Sequence, residues 1–496
     1  LNHEPDARKS AQVTDFTPGT TIHLGNPGPN DFSLFCSNRT ESITRMNVPR
    51  ILVLALAAFF SGSVHAQADL AAEPGVSAPC EKDFQKIYTA WLNRTIMAHY
   101  LADKGPKGAR YMTAAVNFIG SNWPGATPSE LLREERSFDL DDVKQPGLLF
   151  MIGLVEPPTA RRRDAFTKAL SLFPDSTYPK FIWFMAAVEA DSAIRKANVT
   201  TSPAGDALAL EYLKEGLNDD SFTPGEMSAL RWIFDENDMD VFFRRQEQAV
   251  VDAFNSSTKV EPWMKGYIEG VHFINEAWRA RGEDWAANVT QQGWQGFETN
   301  QASATEYLVK SWNEYPHDPA AARKMIKVCM GDQGAGKSMR TWFDRAVAAD
   351  FDFSPAYYQY RFGIRPKWGG SYDAMRAFGR ECAATGRYDT TVPYELVLTA
   401  LDISRDANDK GDQFKDPQIA DQTLRVLDTY LAQQRPCIHV AFSHTLAAIV
   451  ADKAGRPDEV KRHMAAIGYK PVKDTLLMQM DDLAQLAAKA QASGTP

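Results

Sequence analysis

The sequence predicts an all-α protein built from TPR-like helical hairpins that stack into a solenoid or curved array. Three observations predict it. Apolar residues recur at the helical period from Cys80 onward. Pro and Gly fall between these stripes, where helices end and begin. No run of regularly spaced β-branched residues marks a sheet.

The stripes come in chain order. Phe84, Ile87, Tyr88 and Trp91 form the first, and Ala165, Ala169, Leu170 and Phe173 another. Ala209, Tyr212, Leu213 and Leu217 repeat the pattern, as do Leu424, Leu427, Tyr430 and Leu431. Pro157, Pro174, Pro203, Pro224, Pro262, Pro316, Pro319, Pro355 and Pro366 punctuate them. The segments 163–174, 304–323 and 341–357 each read as an amphipathic helix running into a Pro- or Asp-bearing turn and a second helix. Ala320 and Ala356 occupy matching places 36 residues apart, near the tetratricopeptide period of about 34. Small residues at such places let neighbouring helices approach closely, and stacked pairs leave a concave face.

Composition sets the class. The chain has 496 residues, 54 basic and 63 acidic side chains, a formal net charge of −9, and 44% hydrophobic residues. That is an ordinary globular mixture, which excludes wholesale disorder, collagen and a coiled-coil rod. The lack of a basic excess argues against a nucleic-acid binder.

The N-terminal region reads as a leader. Met46 to Arg50 is a short basic segment, Ile51 to Phe60 an unbroken apolar run, and Val64 and Ala66 fit a small-residue cleavage site. The expectation is a Sec-type signal peptide over 46–66, cleaved after Ala66. Residues 1–45 then read as an upstream extension that is non-native or disordered, with translation starting at Met46. The mature protein is expected to be periplasmic or secreted, with no stable membrane anchor after cleavage. The organisation beyond is read as an N-terminal helical region 67–260, a TPR-like core 261–404, and a C-terminal helical block 405–496. A loop is expected over Asp402–Asp416, and a weaker seam over Ser137–Gln145. With Cys36 lost in the leader, Cys80, Cys329, Cys382 and Cys437 remain. An even count in an oxidising compartment permits disulfides. The helical context of Cys329 and Cys382 equally allows buried thiols.

Two strings invite a chemical reading. Gly331 to Ser338 (G-D-Q-G-A-G-K-S) satisfies the pattern of a phosphate-cradling loop, with Gly331, Gly336, Lys337 and Ser338 at the defining places. That loop needs a buried strand before it, whereas 321–330 reads as an amphipathic helix. The string is therefore read as an inter-helix turn, and no cofactor is expected. The second string is Arg365, Pro366, Lys367, Trp368, Gly369, Gly370 and Ser371. Pro366 halts a helix, the glycines permit positive φ, and Ser371 can cap the next helix. Its functional reading is a small anion site, with Arg365 and Lys367 beside a helix N-terminus.

Trp342, Phe343, Ala346, Ala349, Pro355, Ala356, Tyr357, then Trp368, Gly369, Gly370, Ser371 and Phe378 resemble the bacterial domain-of-unknown-function family 4034. The resemblance covers roughly residues 262–400 and rests mainly on the W-G-G-S turn. It departs at Arg365-Pro-Lys-Trp368, where a Pro-Arg-Trp-type run is expected. It implies a TPR-like helical fold and carries no catalytic residues.

Other chemistry is poorly supported. His439 and His444 are five apart, which does not suit two ligands on one helix, and no HExxH occurs. Asp406 to Gly411 resembles half a calcium loop but lacks the bidentate Glu. Asp235 to Asp240 reads as a solvated acidic turn. No GxSxG surrounds a serine. Paired carboxylates need only spatial proximity, so they stay open. Trp263, Trp278, Trp285, Trp294 and Trp312 read as inter-helix packing, with stacking on a glycan or peptide as the alternative. The function expected is an exported scaffold that binds a protein or peptide partner. An all-α envelope enzyme or glycan binder is the alternative, and nucleotide binding at 331–338 a remote one. No catalytic residue and no metal ligand is assigned.

Overall fold

The computed structural model describes residues 82–102, 108–122, 129–196, 203–235, 237–284, 286–331, 336–433 and 438–492, all within one compact unit, Ser63–Pro496. Among them every regular element is a helix and no β-strand occurs, so the protein is all-α. The segments 1–45 and 46–66 lie outside the described residues, as do Cys36, Cys80, Cys437, Trp285, residues 332–335 and the side chains of Lys337 and Ser338.

The first helices are α1 (Lys82–Leu92), which passes through a π-turn (Asn93–Met97) into α2 (Ala98–Ala102), α3 (Ala109–Asn122) and α4 (Ser129–Glu135). They are followed by α5 (Pro146–Val155), α6 (Ala160–Leu172), α7 (Lys180–Lys196) and α8 (Pro203–Gly216). The α5 sequence PGLLFMIGLV is apolar all round, and every residue of it is buried. A helix without a polar face belongs inside a core, and α3, α4 and α6 pack against it. Thr159 caps α6 by accepting the Arg162 N–H, which fixes where the chain turns back.

The middle of the chain forms α9 (Met227–Asp235), α10 (Asn237–Arg245), α11 (Glu247–Ser256), α12 (Pro262–Arg281) and α13 (Gln291–Glu314). It continues with α14 (Ala320–Met330), α15 (Gly336–Ala349), α16 (Ser354–Gly363) and α17 (Tyr372–Ala384). Helices adjacent in sequence pack together, among them α7 with α8, α12 with α13, and α14 with α15. Ala304, Ala320, Ala346 and Ala356 are buried, in keeping with close helix approach. The tryptophans fill gaps between helices. Trp263 stacks on Tyr315 at 5.0 Å, Trp278 meets Phe297 edge-on at 5.2 Å, and Trp312 meets Trp342 at 6.2 Å.

One acidic position departs from the expected solvated turn. Asp235, at the end of α9, is buried among Arg231, Arg323 and Lys324, and the Tyr267 hydroxyl donates to it at 3.0 Å. Burial pushes this carboxyl up, but Lys324, Arg323 and Arg231 outweigh it and hold Asp235 below its ordinary value.

The last helices are α18 (Glu395–Ala407), α19 (Pro417–Leu431), α20 (Val440–Lys453), α21 (Pro457–Ala466), α22 (Thr475–Met480) and α23 (Leu483–Ala492). The buried apolar side chains divide into two clusters. One runs from Tyr88 to Val392 and includes Ile403. The other runs from Tyr394 to Ala490. Helix α18 serves both and forms the seam between them. The expected loop over Asp402–Asp416 begins only at Asn408, where the backbone turns left-handed with φ +51°. Asp402 stays helical because its carboxylate is held inside by arginines rather than by solvent. Cys329 and Cys382 are both buried thiols, and burial pushes Cys382 well above its ordinary value.

Candidate functional site

The string 365–371 is a compact turn that joins α16 to α17. Gly370 packs so tightly on the preceding chain that a Cβ there would lie 1.9 Å from the Ile364 carbonyl oxygen. Only glycine fits. Gly369 adopts φ +85°. Ser371 caps α17, its hydroxyl accepting the Ala374 N–H at 3.0 Å. Trp368 stands edge-on to Trp278 of α12 at 5.9 Å and lies 5.8 Å from Phe362, which fastens the turn to the larger core.

The two cations of the string are engaged by other groups of the seam. The Arg365 guanidinium is buried and binds Asp402 at 2.5 Å and Asp406 at 3.4 Å. Arg361, one turn earlier on α16, also binds Asp402, at 2.9 Å, and pairs with Glu395. Arg405 closes the group on Asp402. Burial pushes the Asp402 carboxyl up, but Arg361, Arg365 and Arg405 outweigh it and hold it below its ordinary value. Lys367 lies 4.6 Å above the Phe362 ring, and burial, then Arg365, push its ammonium below its ordinary value. The structure thus brings Arg365, Lys367 and Trp368 together around Phe362, in a role that locks the seam.

Beside this closed group, the same helix opens onto a cleft of about 330 Å³ bounded by α17, α18, the 412–415 turn and α19. Its floor is Leu396, Ala400 and Ile419. Arg376 and Arg380 enter from α17, and Gln418, Gln422 and Thr423 from α19. Asp373 and Asp416 stand at the rim. The Ser371 cap starts α17 so that Asp373, Arg376 and Arg380 share one helical stripe. Gly379 brings α17 onto α18, since a Cβ there would lie 3.0 Å from the Leu396 Cα and 3.2 Å from the Thr399 hydroxyl.

Three polar atoms of the cleft wall are buried without a hydrogen-bond partner: Thr399 Oγ1, Gln413 Oε1 and Arg376 Nε. Gln413 is fixed by its other end, which donates to the Ala400 carbonyl at 2.7 Å and to the Ser404 hydroxyl at 2.6 Å. Arg376 is held through Asp373 at 3.3 Å. A buried polar group without a partner costs about 1–3 kcal/mol. Three such atoms belong to residues that line this one cleft. None of these residues carried a recognisable motif. Their only trace in the sequence is the Arg376–Arg380 spacing.

Gly331 ends α14 and Gly336 opens α15, so the 331–338 string joins two helices, and no strand precedes it among the described residues. His439 stands at the start of α20. His444 instead faces His463, with their Nδ1 atoms 3.1 Å apart. Arg462 lies 3.0 Å from His463 Nε2, and burial with Arg462 pushes His463 down to about 4. Glu247, His272 and Glu276 group closely enough to suit a cation. Arg279 at 2.7 Å and Asn275 at 2.9 Å, however, already occupy the Glu247 oxygens.

A carboxylate pair does exist, at Glu135 and Glu156. Both are buried, and each leaves its Oε2 without a donor. Burial pushes Glu135 up to about 7, opposed by the Arg161 hydrogen bond and reinforced by Glu156. At 0% and 3% exposure neither acid can reach a substrate, so the pair does not form a glycosidase site. No helix among the described residues is long and apolar enough to cross a membrane.

No family model, no curated protein and no solved structure matches the chain.

Proposed function

We propose that this protein is an exported helical-hairpin scaffold that binds a small polar or peptide ligand in the cleft between α17, α18 and α19. The observation that carries this reading is that Thr399, Gln413 and Arg376, each with a buried side-chain atom that has no hydrogen-bond partner, line one cleft together with Arg380. Protein interiors pair nearly all of their polar groups, so three unmatched atoms in one place mark a surface shaped for a guest. The apolar floor with a few convergent polar groups, and the volume, fit the general form of small-ligand sites. The consecutive packing of helices supports a TPR-like array, and the leader pattern over 46–66 supports export. The resemblance to family 4034 agrees with the fold and brings no activity with it.

The test is a thermal-shift panel of amino acids, short peptides, sugar acids and neutral sugars on the full chain, repeated with Arg376→Ala. Saturable stabilisation by at least one class, lost in Arg376→Ala, is the expected outcome. No Arg376-dependent shift from any class contradicts the reading.

A further inference from the structure

We infer that the ligand of this cleft is a short peptide or amino acid with a free carboxylate, an inference that rests on the cleft being a ligand site. The wall carries both signs of recognition chemistry. Arg376 and Arg380, one turn apart on α17, form a two-armed cationic edge, and guanidinium groups match the planar, bidentate geometry of a carboxylate. Thr399 lines the same cleft.

Other lining residues accept. Gln413 lines the cleft with its amide N–H donors committed, which leaves the side chain its Oε1 acceptor alone. Asp416 also lines it, as the N-cap of α19, one oxygen taken by the Gln418 N–H at 2.8 Å. Together these suit an ammonium or amide N–H.

A bare inorganic anion would leave the acceptors unmatched, and a neutral sugar would offer the arginines no carboxylate. A zwitterion with one peptide unit meets both donors and acceptors, and an aliphatic side chain meets Leu396, Ala400 and Ile419. The volume of about 330 Å³ equals roughly ten waters at about 30 Å³ each. That is room for a dipeptide and too little for a folded partner.

The experiment is isothermal titration of the full chain with L-alanyl-L-leucine, its C-terminal amide, glucuronic acid and glucose. Arg376→Ala and Thr399→Val run in parallel, with circular dichroism as the folding control. We expect the free dipeptide to bind and the amide to bind at least tenfold more weakly. Arg376→Ala should lose binding at least tenfold with an unchanged spectrum. Equal binding of acid and amide overturns the carboxylate assignment. Arg376-dependent binding of glucuronic acid without the dipeptide overturns the peptide class and leaves the cleft as a ligand site. Failure of every probe to bind in an Arg376-dependent way overturns both. If Arg376→Ala does not fold, Arg380→Ala and Thr399→Val carry the same comparison.

Discussion

One stripe of helix α18 treats buried polarity in two ways. In its closed part Glu395 and Asp402 meet Arg361, Arg365 and Arg405, and their charges are answered by the protein itself. In its open part, between them, Thr399 lies equally deep, with a hydroxyl that has no hydrogen-bond partner. The two parts are a turn apart, so burial is not what separates them. The closed part fastens the two apolar clusters together at their seam. The open part borders the cleft. A pair of polar groups satisfied within the chain is most simply structural, whereas polar groups left unmatched beside a cleft need another explanation.

The largest expected effect comes from breaking the closed part. Arg361→Ala leaves the Glu395 and Asp402 carboxylates buried with one cation fewer. Losing one partner of a buried ion pair costs about 3–5 kcal/mol. Chemical denaturation should show that loss. A change below about 1 kcal/mol would place the group with exposed ion pairs and dissolve the contrast.

The pH response separates Asp402 from the acid pair at Glu135. Asp402 is held below its ordinary value of 3.8, so its stabilisation is present at neutral pH and is lost as pH falls below that value. Glu135 is raised from 4.5 to about 7, so its contribution is full below pH 4.5 and is lost as pH rises toward 7. Melting temperature followed from pH 4.5 to 8 should therefore decline through a component that Glu135→Gln flattens. An unchanged slope in Glu135→Gln would show that Glu135 does not carry this component.

Ser371→Ala removes the cap of α17 and should cost about 1 kcal/mol, read by thermal melting. It also loosens the stripe that carries Arg376 and Arg380, so ligand affinity should fall with it. Thr399→Val has the smallest expected effect on stability and the opposite sign, a gain of up to about 1 kcal/mol from removing an unmatched buried hydroxyl. A loss of more than 1 kcal/mol would mean that the hydroxyl has a structural partner, and the open part would close.

The helical architecture was readable because its signals are local. The stripe 84–91 and the caps and prolines need only neighbours in sequence. The seam was not readable, since Arg361 meets Asp402 across 41 residues and no short-range pattern records the pairing. For the same reason Asp402 read as the start of a loop and Asp235 as a solvated turn. The W-G-G-S turn was legible as a cap and a tight bend, but its Arg365 read as an anion ligand because the sequence hides that it points inward. The cleft was not read from the sequence, and the Arg376–Arg380 spacing is its sole local trace. Thr399 and Gln413 are ordinary residues made distinctive by what they lack, and only coordinates reveal a missing partner.

The most direct measurement is the side-chain Nε–H signal of Arg376 by ¹⁵N NMR of the full chain, assigned with Arg376→Lys and titrated with L-alanyl-L-leucine. The account predicts a saturable shift with slowed solvent exchange, absent in Thr399→Val. A signal that stays fixed while the dipeptide binds elsewhere, or no binding at all, would contradict it.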